Sequence, residues 1–143
     1  MASRKLVLGL SALAVLFSLA PACGPARDVI NDCRYGDCEP AATRCRQGDP
    51  SICNRLGELY EQSGKRPADY GLAARYYLEG CKVKPLPCGS ASELGMKLAY
   101  GRPGYPKDEP LAAELFQKAC EGSWMRGCVE LGLMYENGRG GLE

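Results

Sequence analysis

Leu111-Ala112-Ala113-Glu114-Leu115-Phe116-Gln117-Lys118-Ala119-Cys120, followed by Cys128-Val129-Glu130-Leu131-Gly132-Leu133-Met134-Tyr135-Glu136, has a second copy upstream in the same chain. Leu72-Ala73-Ala74 stands nine residues before Cys81, as Leu111-Ala112-Ala113 stands nine before Cys120. Tyr77 and Phe116 share a column. Cys53, Leu56, Gly57, Tyr60 and Glu61 match Cys128, Leu131, Gly132, Tyr135 and Glu136 at identical offsets. Self-similarity at a period of 36 residues (Cys45 to Cys81) and 39 (Cys81 to Cys120) is the mark of stacked helix pairs.

Each half of the unit carries a helical period. Ile52, Leu56, Leu59 and Tyr60 share one helix face behind Asp49-Pro50, a cap residue with proline at the first helical position. Leu72, Tyr76 and Tyr77 repeat this pattern, as do Leu111, Leu115, Phe116 and Ala119 behind the N-cap Asp108. Trp124, Cys128, Leu131 and Tyr135 predict a last helix behind Ser123, ending at Asn137-Gly138. Gly57, Gly95 and Gly132 each weaken a helix by about 1 kcal/mol relative to alanine, so that column implies close helix approach. The middle unit is irregular, with six residues from Cys88 to Leu94 and a stiff Arg102-Pro103-Gly104-Tyr105-Pro106 turn. The expected fold is all-α, a short α/α solenoid of antiparallel helix pairs stapled by disulfides. The expected array spans 40–138, about two and a half units, with a tail or linker over 23–39 and a short C-terminal end over 139–143. Because it stops mid-unit, Leu131, Leu133 and Met134 are expected to lack cover on one side.

The cysteines follow the repeat. Cys45 with Cys53, Cys81 with Cys88 and Cys120 with Cys128 each bracket a helix-to-helix turn, where two Cα atoms come within disulfide reach. Cys33 and Cys38 then close a loop in the tail. Zinc sites with two-residue spacers, redox-active Cys-x-x-Cys pairs and histidine are all absent from the sequence, so no metal or cofactor is expected.

Arg4 and Lys5, then 14 apolar or small residues from Leu6 to Leu19, then Ala20-Pro21-Ala22-Cys23, read as a signal peptide over 1–22. The apolar run is too short for a membrane span, which needs about 20 residues. Leu19 to Cys23 resembles a bacterial lipobox, whose cysteine is acylated. Nine cysteines cannot all pair, and lipidation of Cys23 leaves eight. The reading is export, to the periplasm or outer membrane as a lipoprotein or otherwise as a secreted protein. Membrane contact is expected only through the lipid on Cys23.

Eighteen basic residues against 17 acidic ones, mixed in sign, exclude a field that would gather nucleic acid. The lack of histidine removes Ser-His and Cys-His catalysis.

Leu-Gly-x-x-Tyr in the first helix, Leu-Ala-Ala-x-x-(Tyr/Phe)-x-x-(Ala/Gly)-Cys in the second, and a cysteine pair across each junction resemble Sel-one-like repeats, relatives of tetratricopeptide repeats. The paired cysteines are similar, more narrowly, to those of the secreted Helicobacter cysteine-rich protein branch. The resemblance implies a right-handed superhelix with a disulfide in each unit, acting as an adaptor for peptide or protein partners outside the cytoplasm. Candidate partner-binding residues, by register on exposed columns of the first helices, are Asn54, Arg55, Glu58, Met96, Arg126 and Glu130, with Glu61 and Lys97 beside them. Association through the open last helix is a further expectation. The same resemblance brings an alternative, β-lactam binding or weak β-lactamase activity, because cysteine-rich members carry that description. No serine here has lysine three residues on and Lys-Thr-Gly is missing, so no catalytic residue is assigned.

Overall fold

Aspartate begins three of the helices. In a computed structural model, which describes residues 29–62, 64, 67–83 and 85–141, Asp49 accepts from the backbone N–H of Ser51 and Ile52, both at 3.2 Å. Asp69 accepts from Leu72 N at 2.9 Å and Asp108 from Leu111 N at 3.0 Å. Each bond satisfies an orphan donor of a first turn. The described residues form α1 (Val29–Arg34), α2 (Glu39–Arg46), α3 (Pro50–Glu61), α4 (Tyr70–Cys81), α5 (Pro85–Tyr100), α6 (Glu109–Glu121) and α7 (Met125–Glu136), with no strand among them. The architecture is the helix-pair solenoid: the first-type helices α3, α5 and α7 lie side by side, and α4 and α6 form the second row.

The junctions after α2 and after α6 are alike. Gly48 ends α2 at φ +90°, and Asp49 N donates to Arg44 O. Ser123 occupies the same place after α6 at φ 64°, and Trp124 N donates to Ala119 O. Both are left-handed caps that tie up the last carbonyls of a helix. The helix expected behind Ser123 is α7, with Trp124 at its N-cap and no side-chain bond there. The sulfurs of Cys45–Cys53 and Cys120–Cys128 are bonded across these two junctions and those of Cys81–Cys88 across the one after α4, with Cα atoms 4.8, 4.5 and 4.7 Å apart. Cys33–Cys38 is bonded at a Cα separation of 4.0 Å.

Two expectations need correction. The stretch assigned to a tail is folded from residue 29 onward. Ile30 and Cys33 of α1 are buried against Ala41, Cys45, Ile52 and Leu56, so the packed array begins before residue 40. Six residues are too short for a periodic signal, and the Cys33–Cys38 bridge together with burial stabilises what propensity alone does not. At the other end, Met134 is buried although Leu133 remains 43% exposed. The chain turns back after α7: Arg139 N donates to Met134 O, and Gly140 packs so closely that a Cβ there would lie 2.7 Å from Met134 Cε. The Arg139 side chain holds the turn, donating to Glu109 Oε1 at 2.9 Å and to Ala99 O at 2.7 Å. The signal peptide expected over 1–22 and the lipidation expected at Cys23 lie outside the described residues.

Two of the three glycines in the column, Gly57 and Gly95, mark the close helix approach expected of it; Gly132 does not. A Cβ on Gly57 would sit within 3.0 Å of the Tyr77 ring, and one on Gly95 would sit 2.8 Å from Phe116 Cε1. Both rings are fully buried and have nowhere to move. A Cβ on Gly132 meets nothing within 4 Å. Gly57→Ala and Gly95→Ala are therefore expected to destabilise, since overpacking costs about 1–3 kcal/mol against a helix gain near 1 kcal/mol. Gly132→Ala gains the helix term without a clash and is expected to stabilise by about 1 kcal/mol. Denaturant midpoints of the three variants check the reversal of sign.

Candidate binding surface

The first-type helices present a polar groove between α3 and α5, about 300 Å³ in volume, lined by Glu58, Glu61, Gln62, Tyr77, Ser90, Glu93, Lys97 and Tyr105. Glu61 closes α3, where helix periodicity turns it toward the neighbouring elements. Its Oε1 accepts from Lys97 Nζ at 2.6 Å and Tyr105 Oη at 2.8 Å, while Oε2 accepts from Tyr77 Oη at 2.7 Å. Lys97 also lies over the Tyr105 ring, 5.1 Å from its centroid. Tyr105 is carried by the stiff turn after α5, which folds back so that Tyr70 donates to Gly104 O at 2.6 Å. One carboxylate thus ties α3, α4, α5 and the loop of the next unit together.

The electrostatics follow from these contacts. Burial pushes the Glu61 carboxyl up, but hydrogen bonds from Lys97, Tyr77 and Tyr105 with the lysine charge outweigh it, so it titrates below the usual carboxylate range. Burial would lower Lys97, yet the bond to Glu61 leaves it raised. Tyr77 is raised by burial and by Glu61. The cluster is a pinned ion pair across neutral pH. Glu61→Gln removes the partner of a lysine whose side chain is only 23% exposed, and is expected to cost about 1–3 kcal/mol at pH 7. Because Glu61 is lowered in the fold, its contribution is present above the ordinary carboxylate range and is lost as pH falls through its depressed value. Urea midpoints of wild type and Glu61→Gln should therefore converge in acid.

The structure sorts the candidate residues. Asn54 lies beside the groove, half-buried, donating to Glu58 Oε1 at 2.8 Å and accepting from Ser90 Oγ at 2.7 Å. Arg55 and Glu58 are exposed on α3, and Arg126 is exposed on α7. Glu130 is half-buried and accepts from Tyr100 Oη at 3.2 Å, linking α5 to α7. Met96 is not on this surface: it is 7% exposed and belongs to the main core with Met134. The column that is open on the terminal helix is covered on the central one, because α5 has first-type neighbours on both sides. Glu61 and Lys97, read as surface charges, are instead the most enclosed ion pair of the groove. Tyr105 and Ser90 gave no periodic signal of their own.

A second groove of about 510 Å³ lies between α4 and α6, with Arg75, Glu79, Lys82, Glu114, Lys118 and Glu121 along it. Its charges alternate and pair locally, as in Lys82–Glu79 and Lys118–Glu121. Among the described residues there is no cluster of metal-ligating side chains, and no helix is long and apolar enough to cross a membrane. Four disulfides suit an oxidising, exported environment.

No curated protein matches the chain. The family model for the Sel1 repeat matches residues 50–82, 90–123 and 126–143, which are α3 with α4, most of α5 with α6, and α7 with the turn behind it. Sel1 repeats typically serve as protein-interaction scaffolds. With more than half of the sequence matched and the helix pairs in the corresponding register, the chain belongs to the Sel1 repeat family.

Proposed function

We propose that this protein is an exported scaffold that holds a peptide or protein partner in the cell envelope, tethered through a lipid on Cys23 or otherwise secreted. The observation that carries the reading is that all eight cysteines from Cys33 onward are bonded in local pairs, three of them across the turns that enter α3, α5 and α7, leaving Cys23 as the odd cysteine beside a signal-like segment. Residues 1–22 act as the signal peptide, and the paired cysteines resemble those of the cysteine-rich secreted branch of the family. Partner contacts are assigned to the first-helix surface, through Asn54, Arg55, Glu58, Arg126 and Glu130. The polar groove behind them supplies fixed hydrogen-bonding groups at Glu58, Glu93 and Lys97.

Expression of the full sequence in a diderm bacterium, with fractionation and intact mass of the N-terminus, tests this reading. Processing before a diacylated Cys23 and recovery with the envelope are expected. Retention of residues 1–22 in a cytoplasmic fraction contradicts it.

A further inference from the structure

The outer faces of α4 and α6 carry one charge pattern with its signs reversed. Arg75 and Glu79 of α4 and Lys82 at its C-cap stand at i, i+4 and i+7, a single stripe that reads plus, minus, plus. The same columns one unit on, Glu114, Lys118 and Glu121 of α6, read minus, plus, minus. Tyr77 and Phe116 point inward onto Gly57 and Gly95 of the first row, and helix geometry puts the stripes on the opposite side of each helix. Glu79 is half-buried and the other five residues are exposed.

The two stripes do not close on each other. Lys82 meets Glu79 of its own stripe at 2.6 Å, and Lys118 meets Glu121 at 2.8 Å. Among the described residues no ion pair crosses the groove of about 510 Å³ between the helices, and Arg75 and Glu114 have no ion-pair partner. The floor between the stripes is small or apolar, with Gly71, Ala74, Leu78 and Leu111. This groove lies in the middle of the array. Any further helix pair stacks beyond α2 or beyond α7 and leaves it open.

We propose that a second copy of this chain docks on the α4–α6 face, about a two-fold axis parallel to the helices. Such a rotation keeps every residue at its height along the axis, and it sets α4 of one copy against α6 of the other, running in the same direction. Arg75 then faces the second copy's Glu114, Glu79 its Lys118 and Lys82 its Glu121, and symmetry makes each contact twice. A two-fold axis across the helices instead sets α4 on α4 and α6 on α6, antiparallel. Plus, minus, plus reads the same from either end, so that arrangement joins like charges at every contact, which costs binding. The pattern therefore selects one dimer and opposes the other. A partner of single sign gains nothing here, because the three basic and three acidic residues cancel. The inference goes beyond the scaffold reading and does not depend on export.

The test is sedimentation velocity of the oxidised protein, purified in a density-matched non-ionic detergent, over a range of protein and salt concentrations. A monomer–dimer equilibrium is expected, weakening as salt rises because the paired charges lie at the surface. Arg75→Glu and Glu114→Arg each turn two attractive contacts into repulsive ones. Each should weaken dimerisation about tenfold or more, with a melting temperature near that of wild type. An equimolar mixture of the two single variants should recover the dimer, because each then meets the charge opposite to its own. One chain carrying both substitutions should recover it as well, which keeps the test open if a single variant folds poorly. A protein that stays monomeric at millimolar concentration overturns the proposal. So does a dimer indifferent to both substitutions, or a pair of variants that gain nothing on mixing. A different protein that co-purifies with the monomer and is lost on Arg75→Glu also overturns it, and is then the occupant of this face. Each of these results leaves the scaffold reading untouched, since processing and disulfide mapping decide that.

Discussion

Full reduction of the four disulfides is expected to unfold the protein at room temperature. Each bridge closes a loop of 5 to 8 residues. By loop entropy such a closure removes about 2–2.5 kcal/mol of freedom from the unfolded chain, so four together supply about 9 kcal/mol. A small domain has a total stability of only about 5–15 kcal/mol. The core offers little reserve, because it is thin and rich in alanine: Ala73, Ala74, Ala91, Ala99, Ala112 and Ala113 fill positions that larger side chains take in deeper cores. Far-UV circular dichroism before and after a phosphine reductant checks this. Loss of most helical signal is expected; a melting temperature unchanged by complete reduction would show that the packing holds alone.

Phe116→Ala is expected to cost about 3–5 kcal/mol, the largest effect of any single side chain outside the cysteines. Phe116 is fully buried, rests on the backbone of Gly95, and joins α5 to α6 within a core shared with α4 and α7. Small neighbours cannot expand into the space it leaves. The informative companion is Phe116→Tyr. Tyr77 has Glu61 for its hydroxyl, but the equivalent place beside Phe116 is Ala99, so an added hydroxyl is buried without that acceptor and costs about 1–3 kcal/mol. Combining Phe116→Tyr with Ala99→Glu should recover part of the loss. Urea denaturation of the single and double variants measures the coupling.

These effects explain how far the sequence could be read. The repeat was legible because helix pairs of one design must place Leu, Gly, aromatic and Cys at fixed offsets, and the offsets survive in the chain itself. The local cysteine pairs followed from that register. The first helix was not legible, since Val29–Arg34 is shorter than two turns and its burial depends on residues some ten to twenty-five positions on. Met96 was misplaced for a different reason: periodicity gives the face of a helix but not its neighbours, and only the stacking order tells that α5 is covered on both sides. Glu61 had a signal that charge patterning hides. Glutamate with tyrosine in one unit and alanine with phenylalanine in the next is a pairwise pattern, visible only when both helices of the unit are compared together. Ser123 shows the limit of propensity, since its backbone at φ 64° takes the place that Gly48 fills two units earlier.

Peptide mapping of the exported protein without reduction, with free thiols alkylated first, tests the account most directly. Four linked pairs are expected, Cys33–Cys38, Cys45–Cys53, Cys81–Cys88 and Cys120–Cys128, with no alkylated cysteine from residue 33 onward and an acylated Cys23. Two or more alkylated cysteines among those eight in folded material would contradict the account of a scaffold stapled for life outside the cytoplasm.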